Sequence, residues 1–411
     1  MPFSPCQKPG TDGSVHCAEA YLADCRLPVR DRVCLRSSPR AGSRRSFLVT
    51  AAGLVFPASA HARADSIVTI SAQPEFYYGW PTLLRRSNGE LLVAYSGGRE
   101  AHVCPFGRVE LIRSSDDGKS WSWPEVMMDT PIDDRDAGLC ETQSGALLLT
   151  TFTSLAYEPV LARAENWPAA KLERWQAVNR RTTNEQRQAL LGTWMLRSTD
   201  RGMTWSAPFR VPLNSPHGPV RLSGSRLLYA GKRLWDADKK VGVCDSADDG
   251  QAWRWLADIP ARPGDRVEDY HELHAVQTAS GRLIVHIRNH NPANRFETLQ
   301  TESTDGGKTW TVPHTIGVWG YPSHLLRLQD GRLLMTYSYR RAPFGNQARI
   351  SADEGRTWSA AITIYGDGAS GDLGYPSTVE LPDGRLITVW YESMRGAPGA
   401  VLRMARWSLT E

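Results

Sequence analysis

Ser114-Ser-Asp-Asp-Gly-Lys-Ser-Trp121 decides how this chain is read, because the same octapeptide returns four more times. The other copies are Ser198-Thr-Asp-Arg-Gly-Met-Thr-Trp205, Ser246-Ala-Asp-Asp-Gly-Gln-Ala-Trp253, Ser303-Thr-Asp-Gly-Gly-Lys-Thr-Trp310 and Ser351-Ala-Asp-Glu-Gly-Arg-Thr-Trp358. The shared pattern suits a hairpin turn. Its Asp carboxylate accepts backbone N–H groups, and its Gly takes a positive φ cheaply. The Trp folds back as an apolar plug. These Asp residues are therefore structural.

Working outward, each copy lies in a longer unit. First strands open near Tyr78-Gly-Trp-Pro81, Asp133-Asp-Arg-Asp136, Ser215-Pro-His-Gly218, Tyr270-His-Glu-Leu273, Gly320-Tyr-Pro-Ser323 and Gly374-Tyr-Pro-Ser377. A turn and an apolar second strand follow each one, from Leu91–Tyr95 through to Leu386–Tyr391. A third and a fourth strand flank the octapeptide. Regular short strands of this kind predict an all-β, six-bladed β-propeller. The sixth blade has no octapeptide. Val401–Trp407 is its third strand, and Ile67–Ile70 supplies the outer strand and closes the ring. Ala162–Leu191, rich in Ala, Glu, Arg and Gln, breaks the period in the second blade. It predicts one or two helices starting at Pro168, forming either a lid or a brace.

The N-terminus reads as an export leader over residues 1–64. Ser43-Arg-Arg-Ser-Phe-Leu48 precedes an apolar run, and Ala58-Ser-Ala60 or Ala62-Arg-Ala64 offers cleavage. A bacterial protein routed this way is periplasmic or secreted. The leader holds nine of the 48 basic and four of the 44 acidic residues, so 39 and 40 remain. That near-neutral balance gives no global attraction to nucleic acid. No later stretch predicts a membrane span. Four of the seven Cys fall in the leader, and Cys104, Cys140 and Cys244 remain, too few for a disulfide framework. His271-Glu-Leu-His274 lacks zinc-site spacing, and neither a metal nor a cofactor is expected.

The leading ends of the first strands converge at one mouth of a propeller. Here they carry Tyr77, Tyr78, Asp134, Arg135, Asp136, His217, His271, Glu272, His274, Tyr321, His324 and Tyr375. The octapeptide resembles the Asp-box of the bacterial sialidase superfamily, and the resemblance runs from about Ile67 to the C-terminus. Glu272 followed by Arg288 is similar to the sialidase segment bearing the active-site Glu and a carboxylate-binding Arg. Tyr375-Pro-Ser-Thr with Glu392 is similar to the segment bearing the nucleophilic Tyr and a supporting Glu.

The resemblance implies an exo-glycosidase acting on a terminal, acidic sugar of a glycan. Tyr375 is its nucleophile and Glu272 the base. Arg288, Arg99, Arg340 or Arg341 grip the carboxylate, with Arg349 a further candidate, and Arg135, His271 and Tyr78 line the substrate. The first blade departs from the family. Gly79 stands where the first triad arginine belongs, and no Asp follows Arg99 as general acid. His102, Asp134 or Asp136 is left to supply the proton. Two alternatives stand beside this reading: a non-catalytic glycan-binding or assembly-factor propeller, and a glycosidase or lyase for another uronic-acid-type sugar.

Overall fold

A computed structural model describes residues 63–409, apart from 72, 74 and 398. The leader reading therefore lies outside the described residues, except that β1 (Arg63–Thr69) opens inside it. Six four-stranded antiparallel sheets make up six blades. Their innermost strands are β2 (Tyr77–Arg85), β6 (Asp133–Glu141), β10 (Val220–Arg221), β14 (Tyr270–Gln277), β18 (Ser323–Arg327) and β22 (Leu373–Glu380). In the sixth blade β1 pairs with β24 (Ala400–Ser408), so the two ends of the propeller share one sheet.

The octapeptides behave as hairpin turns. Ser114 Oγ donates to Asp116 Oδ1 at 2.7 Å and accepts from Gly118 N–H at 2.8 Å. Asp116 Oδ1 accepts from Ser120 N–H at 2.9 Å. Gly118 adopts φ 76°. Trp205, Trp253 and Trp310 each donate the indole N–H to the carbonyl of the turn glycine. Blades pack through shared apolar clusters. Leu92, Val109 and Leu111 of the first blade meet Leu139, Leu147 and Leu149 of the second. Each such side chain contributes about 1.5–3 kcal/mol by leaving water.

A single-turn helix, α1 (Tyr157–Leu161), leads into the insertion, which itself forms two: α2 (Ala169–Arg180) and α3 (Asn184–Leu190). Pro168 caps α2, and Thr183 with Gln186 forms a capping box on α3. Trp175 of α2 is fully buried. It donates its indole N–H to Glu100 Oε2 at 3.0 Å, and Arg174 Nε donates to Glu100 Oε1 at 3.0 Å. The insertion thus braces the loop after β3 (Leu91–Arg99) in the neighbouring blade.

Candidate active site

Four inner strands share one backbone device at the same mouth of the ring. The pairing register slips between Gly79 and Thr82, Arg135 and Gly138, His271 and His274, and Gly374 and Ser377. Within these bulges Trp80, Asp136, Glu272 and Tyr375 take φ of 53°, 45°, 44° and 54°. A left-handed backbone costs a non-glycine residue about 1–3 kcal/mol, and such residues cluster at functional sites. Each bulge re-aims one side chain out of the ordinary in-out alternation of a strand.

Those side chains meet near the axis. Tyr375 donates its hydroxyl to Glu272 Oε1 in a short hydrogen bond from the sixth blade to the fourth. The other oxygen of Glu272 accepts from Arg288 Nη1 at 2.8 Å. Arg288 Nε donates to His290 Nε2 at 2.7 Å. The Arg288 and Arg340 guanidiniums lie 4.3 and 5.1 Å from the Tyr321 ring centre, so one aromatic ring holds two cations side by side. Arg340 is also 5.9 Å from the ring centre of Tyr375. All these groups but the half-buried His290 are buried, Tyr375 at 2% and Glu272 at 7% exposure.

Asp136 stands apart electrostatically. It is fully buried, and neither of its carboxylate oxygens has a hydrogen-bond partner. Burial pushes its carboxyl up to about 7; Arg135 pulls against that shift, and the charge of Glu272 adds to it. It is a carboxyl that can hold a proton at neutral pH. Beside it, the Arg135 guanidinium lies 4.2 Å from the Trp80 ring centre.

The flank of the site is a polar network around Asp372. Tyr77 donates to its Oδ1 at 2.9 Å, Tyr391 at 3.2 Å, and Ser393 donates to Oδ2 at 2.8 Å. His102 Nδ1 lies 2.7 Å from the Tyr77 oxygen and 3.3 Å from Asp372 Oδ1. Burial opposes the charge of Asp372, yet His102 and the hydroxyl donors hold its carboxyl well below the usual range. Burial pushes the His102 imidazole down. Its ring stands edge-on to Trp80, centres 4.9 Å apart.

Several expected residues have other tasks. Arg99, expected to bind an anion, donates to both oxygens of Asp133 at 2.6 and 2.9 Å and is fully buried. It also holds the His102 carbonyl at 2.9 Å, so it fixes a loop. Asp134, one of the three expected proton donors, accepts from Thr130 N–H at 2.6 Å and Thr130 Oγ1 at 3.0 Å, which makes it a turn cap. Tyr78 packs on Tyr95, centres 5.6 Å apart, and burial with the nearby Glu110 pushes its phenol up to about 12. Tyr77 is the residue that faces the site.

Glu392 accepts from Arg403 at 2.9 Å and Trp390 Nε1 at 3.2 Å, on the opposite side of its strand from Tyr391. It does not support Tyr375. Arg341 stacks on Trp319 at 3.7 Å, and Arg349 donates to the Tyr337 hydroxyl at 3.2 Å; of the three expected arginines, Arg340 is the one beside Tyr375. His271 lies against His290, centres 4.6 Å apart, with its backbone paired to Arg288. His217, His274 and His324 sit further down the axis.

The sequence profile described as BNR repeat-like domain matches residues 143–388. The chain belongs to this family. Its BNR-repeat fold and Asp-boxes are those of the sialidase superfamily. Among curated relatives, a sialidase of Bacteroides fragilis is 24% identical over 347 residues, which is 76% of this chain and 59% of that protein. A sialidase of Micromonospora viridifaciens is 26% identical over 203 residues, covering 42% and 31%. A xyloglucanase of Paenibacillus is 28% identical over 205 residues, covering 44% and 19%. The chain thus spans less than two thirds of the length of these relatives.

Among solved structures, a Dyadobacter fermentans protein of unknown function superposes with a TM-score of 0.69 at 23% identity, covering 85% of this chain and 99% of that one. The NanB sialidase of Streptococcus pneumoniae superposes with a TM-score of 0.60 at 14% identity, covering 84% and 70%. These likenesses show a common propeller fold.

Proposed function

We propose that this BNR-repeat protein is an exported exo-glycosidase of sialidase type, removing a terminal acidic sugar from a glycan. The observation that carries the reading is the hydrogen bond from Tyr375 to Glu272 beside Arg288. A phenol with an ordinary pKa of about 10 needs a base to attack at neutral pH. A nucleophile that is neutral before it attacks suits a substrate carrying its own carboxylate, which Arg288 and Arg340 hold.

In the first step the Tyr375 oxygen attacks the anomeric carbon and its proton passes to Glu272. Asp136 protonates the glycosidic oxygen as the bond to the aglycone breaks. Water then attacks the anomeric carbon of the glycosyl-tyrosine and gives a proton to Asp136, while the phenolate leaves and recovers its proton from Glu272. This follows the retaining scheme with a phenol in place of the carboxylate nucleophile. Asp136 is preferred over His102 as donor because its carboxyl, pushed up to about 7, has no hydrogen-bond partner, whereas burial pushes the His102 imidazole down.

Gly79 removes one cation from the grip that the sialidase resemblance implies. Arg135, stacked on Trp80, supplies a positive charge from the next blade instead. This relocation favours, as a second reading, a uronic-acid-type sugar whose carboxylate sits elsewhere on the ring. The paired Arg before a short apolar run supports export. The test is turnover of a panel of aryl α-sialosides, aryl uronides and neutral glycosides by the protein without its leader. Release from the acidic sugars alone is expected. Turnover of neutral glycosides only would remove the carboxylate grip, and no turnover of any would leave a binding propeller.

A further inference from the structure

The other mouth of the axial channel carries a feature that the Tyr375 chemistry does not use. The last residues of the six inner strands are, in ring order, Arg85, Glu141, Arg221, Gln277, Arg327 and Glu380. They rim a cavity of 590 Å³, a size ordinary for small-molecule sites. Arginine thus occupies the same strand position on the first, third and fifth blades.

An alternating ring of this kind would be a structural device if neighbours paired, but they do not. Arg85, Arg221 and Arg327 form no ion pair among the described residues; Arg327 donates to the Thr278 carbonyl at 3.0 Å. The intervening acids are engaged elsewhere. Glu141 accepts from Arg86 at 3.3 Å and from Ser87 N–H at 2.6 Å. Glu380 accepts from Gln329 N–H at 2.7 Å. Gln277 accepts from Ser223 N–H at 2.6 Å. The rim thus holds three guanidiniums that form no ion pair with its two carboxylates.

The wall below the rim is built from three histidines on three blades. The rings of His274 and His324 stack with centres 4.6 Å apart, and His217 stands edge-on to them at 5.3 and 4.9 Å. His217 is 2% and His324 7% exposed. His217 Nε2 and His324 Nδ1 have no hydrogen-bond partner, although both residues line the cavity. Polar atoms left dry and unpaired carry a desolvation cost that a ligand or ordered water can recover. Burial pushes all three imidazoles well below their usual range, so they present neutral N–H groups rather than mutually repelling cations. No group of His, Cys, Asp or Glu among the described residues has the arrangement of a metal site. The cationic rim also opposes a metal ion.

We propose that this mouth is a second ligand site, for a small molecule bearing two or more carboxylate or phosphate groups. One oxyanion satisfies one guanidinium edge, whereas a multivalent anion spans the alternate blades and reaches the imidazole N–H groups below. The site is separate from the Tyr375 mouth, and ligand binding there does not depend on glycosidase activity.

The test is calorimetric titration of the leaderless protein at low ionic strength with citrate and, separately, inorganic pyrophosphate, with galactose as the neutral control. The two anions distinguish a carboxylate-bearing from a phosphate-bearing ligand. At least one binds, and Arg221→Ala and Arg327→Ala each weaken it about tenfold or more. Both arginines are exposed, so these variants keep their melting temperature, and Tyr375→Phe leaves the affinity unchanged. Failure of both anions to bind, undiminished affinity in the Arg221→Ala/Arg327→Ala double variant, or loss of binding in Arg288→Ala would each overturn the proposal.

Discussion

Tyr375 and Glu272 stand 103 residues apart in the chain and share one short hydrogen bond across the propeller axis. Both lie in bulges at left-handed φ, so the backbone meets the same local cost at each end of that bond. A scaffold bond needs no such arrangement. With Arg288 on the second oxygen, the carboxylate is held in one orientation towards the phenol.

Removing either member separates catalysis from stability. Tyr375→Phe and Glu272→Gln are expected to lower kcat on an acidic aryl glycoside by about 10²–10⁴-fold or more. Both variants keep cooperative melting in calorimetry. Activity close to wild type in either would remove the phenol–carboxylate pair from the reaction.

Asp136 makes two pH-dependent claims. As proton donor it must be protonated, so kcat/KM falls as pH rises through about 7. Asp136→Asn abolishes that limb together with most of the rate. Its stability effect has a definite sign. The folded carboxyl binds its proton more tightly than the unfolded one, whose pKa is about 3.9. Folding stability therefore falls as pH rises from about 4 to about 7. Asp136→Asn should melt higher than wild type at pH 8, by about 1 kcal/mol or more of stability, and the two should converge near pH 4. A variant less stable than wild type at pH 8 would contradict the assignment.

Arg99 is a structural cation. Arg99→Met removes both short bonds to the buried Asp133 carboxylate, leaving it only the Arg135 cation at 3.7 Å, and should cost about 3–5 kcal/mol in urea unfolding. Arg288→Met also removes a buried ion pair, with Glu272, and should in addition raise KM for acidic sugars. A large KM effect with unchanged stability in Arg99→Met would return that residue to the binding site.

Glu100 ties α2 to the loop that carries His102. Glu100→Ala removes the acceptor of both Trp175 and Arg174 and should cost about 1–3 kcal/mol. Amide exchange should quicken over residues 100–107 and stay unchanged in the octapeptide turns. Uniform exchange across the second blade would show that the helices only brace their own blade.

The propeller was legible because its repeat is local. One octapeptide fixes a turn, and six strand pairs fix the blade count. The insertion was legible from composition and from Pro168. The Tyr375–Glu272–Arg288 group came from resemblance, since no spacing rule brings residues of different blades together. The miscast residues share one physical reason. Arg99, Asp134 and Glu392 lie in the right strands, but their burial and partners (Asp133, Thr130 and Arg403) are settled by tertiary contacts. Tyr78 turns away from the mouth because the bulge at Gly79 changes which neighbour faces inward. Asp372 leaves no signal in the sequence. It sits in no motif, and its partners Tyr77 and His102 are 295 and 270 residues away.

The covalent step offers the sharpest check. Incubating the protein with a fluorinated glycosyl fluoride of an acidic sugar, then digesting it and sequencing the peptides by mass spectrometry, locates the nucleophile. A glycosyl adduct on the Tyr375 oxygen, missing in Tyr375→Phe, is the predicted result. Turnover of the parent glycoside with no adduct at Tyr375, or with an adduct on a carboxylate instead, would contradict the account.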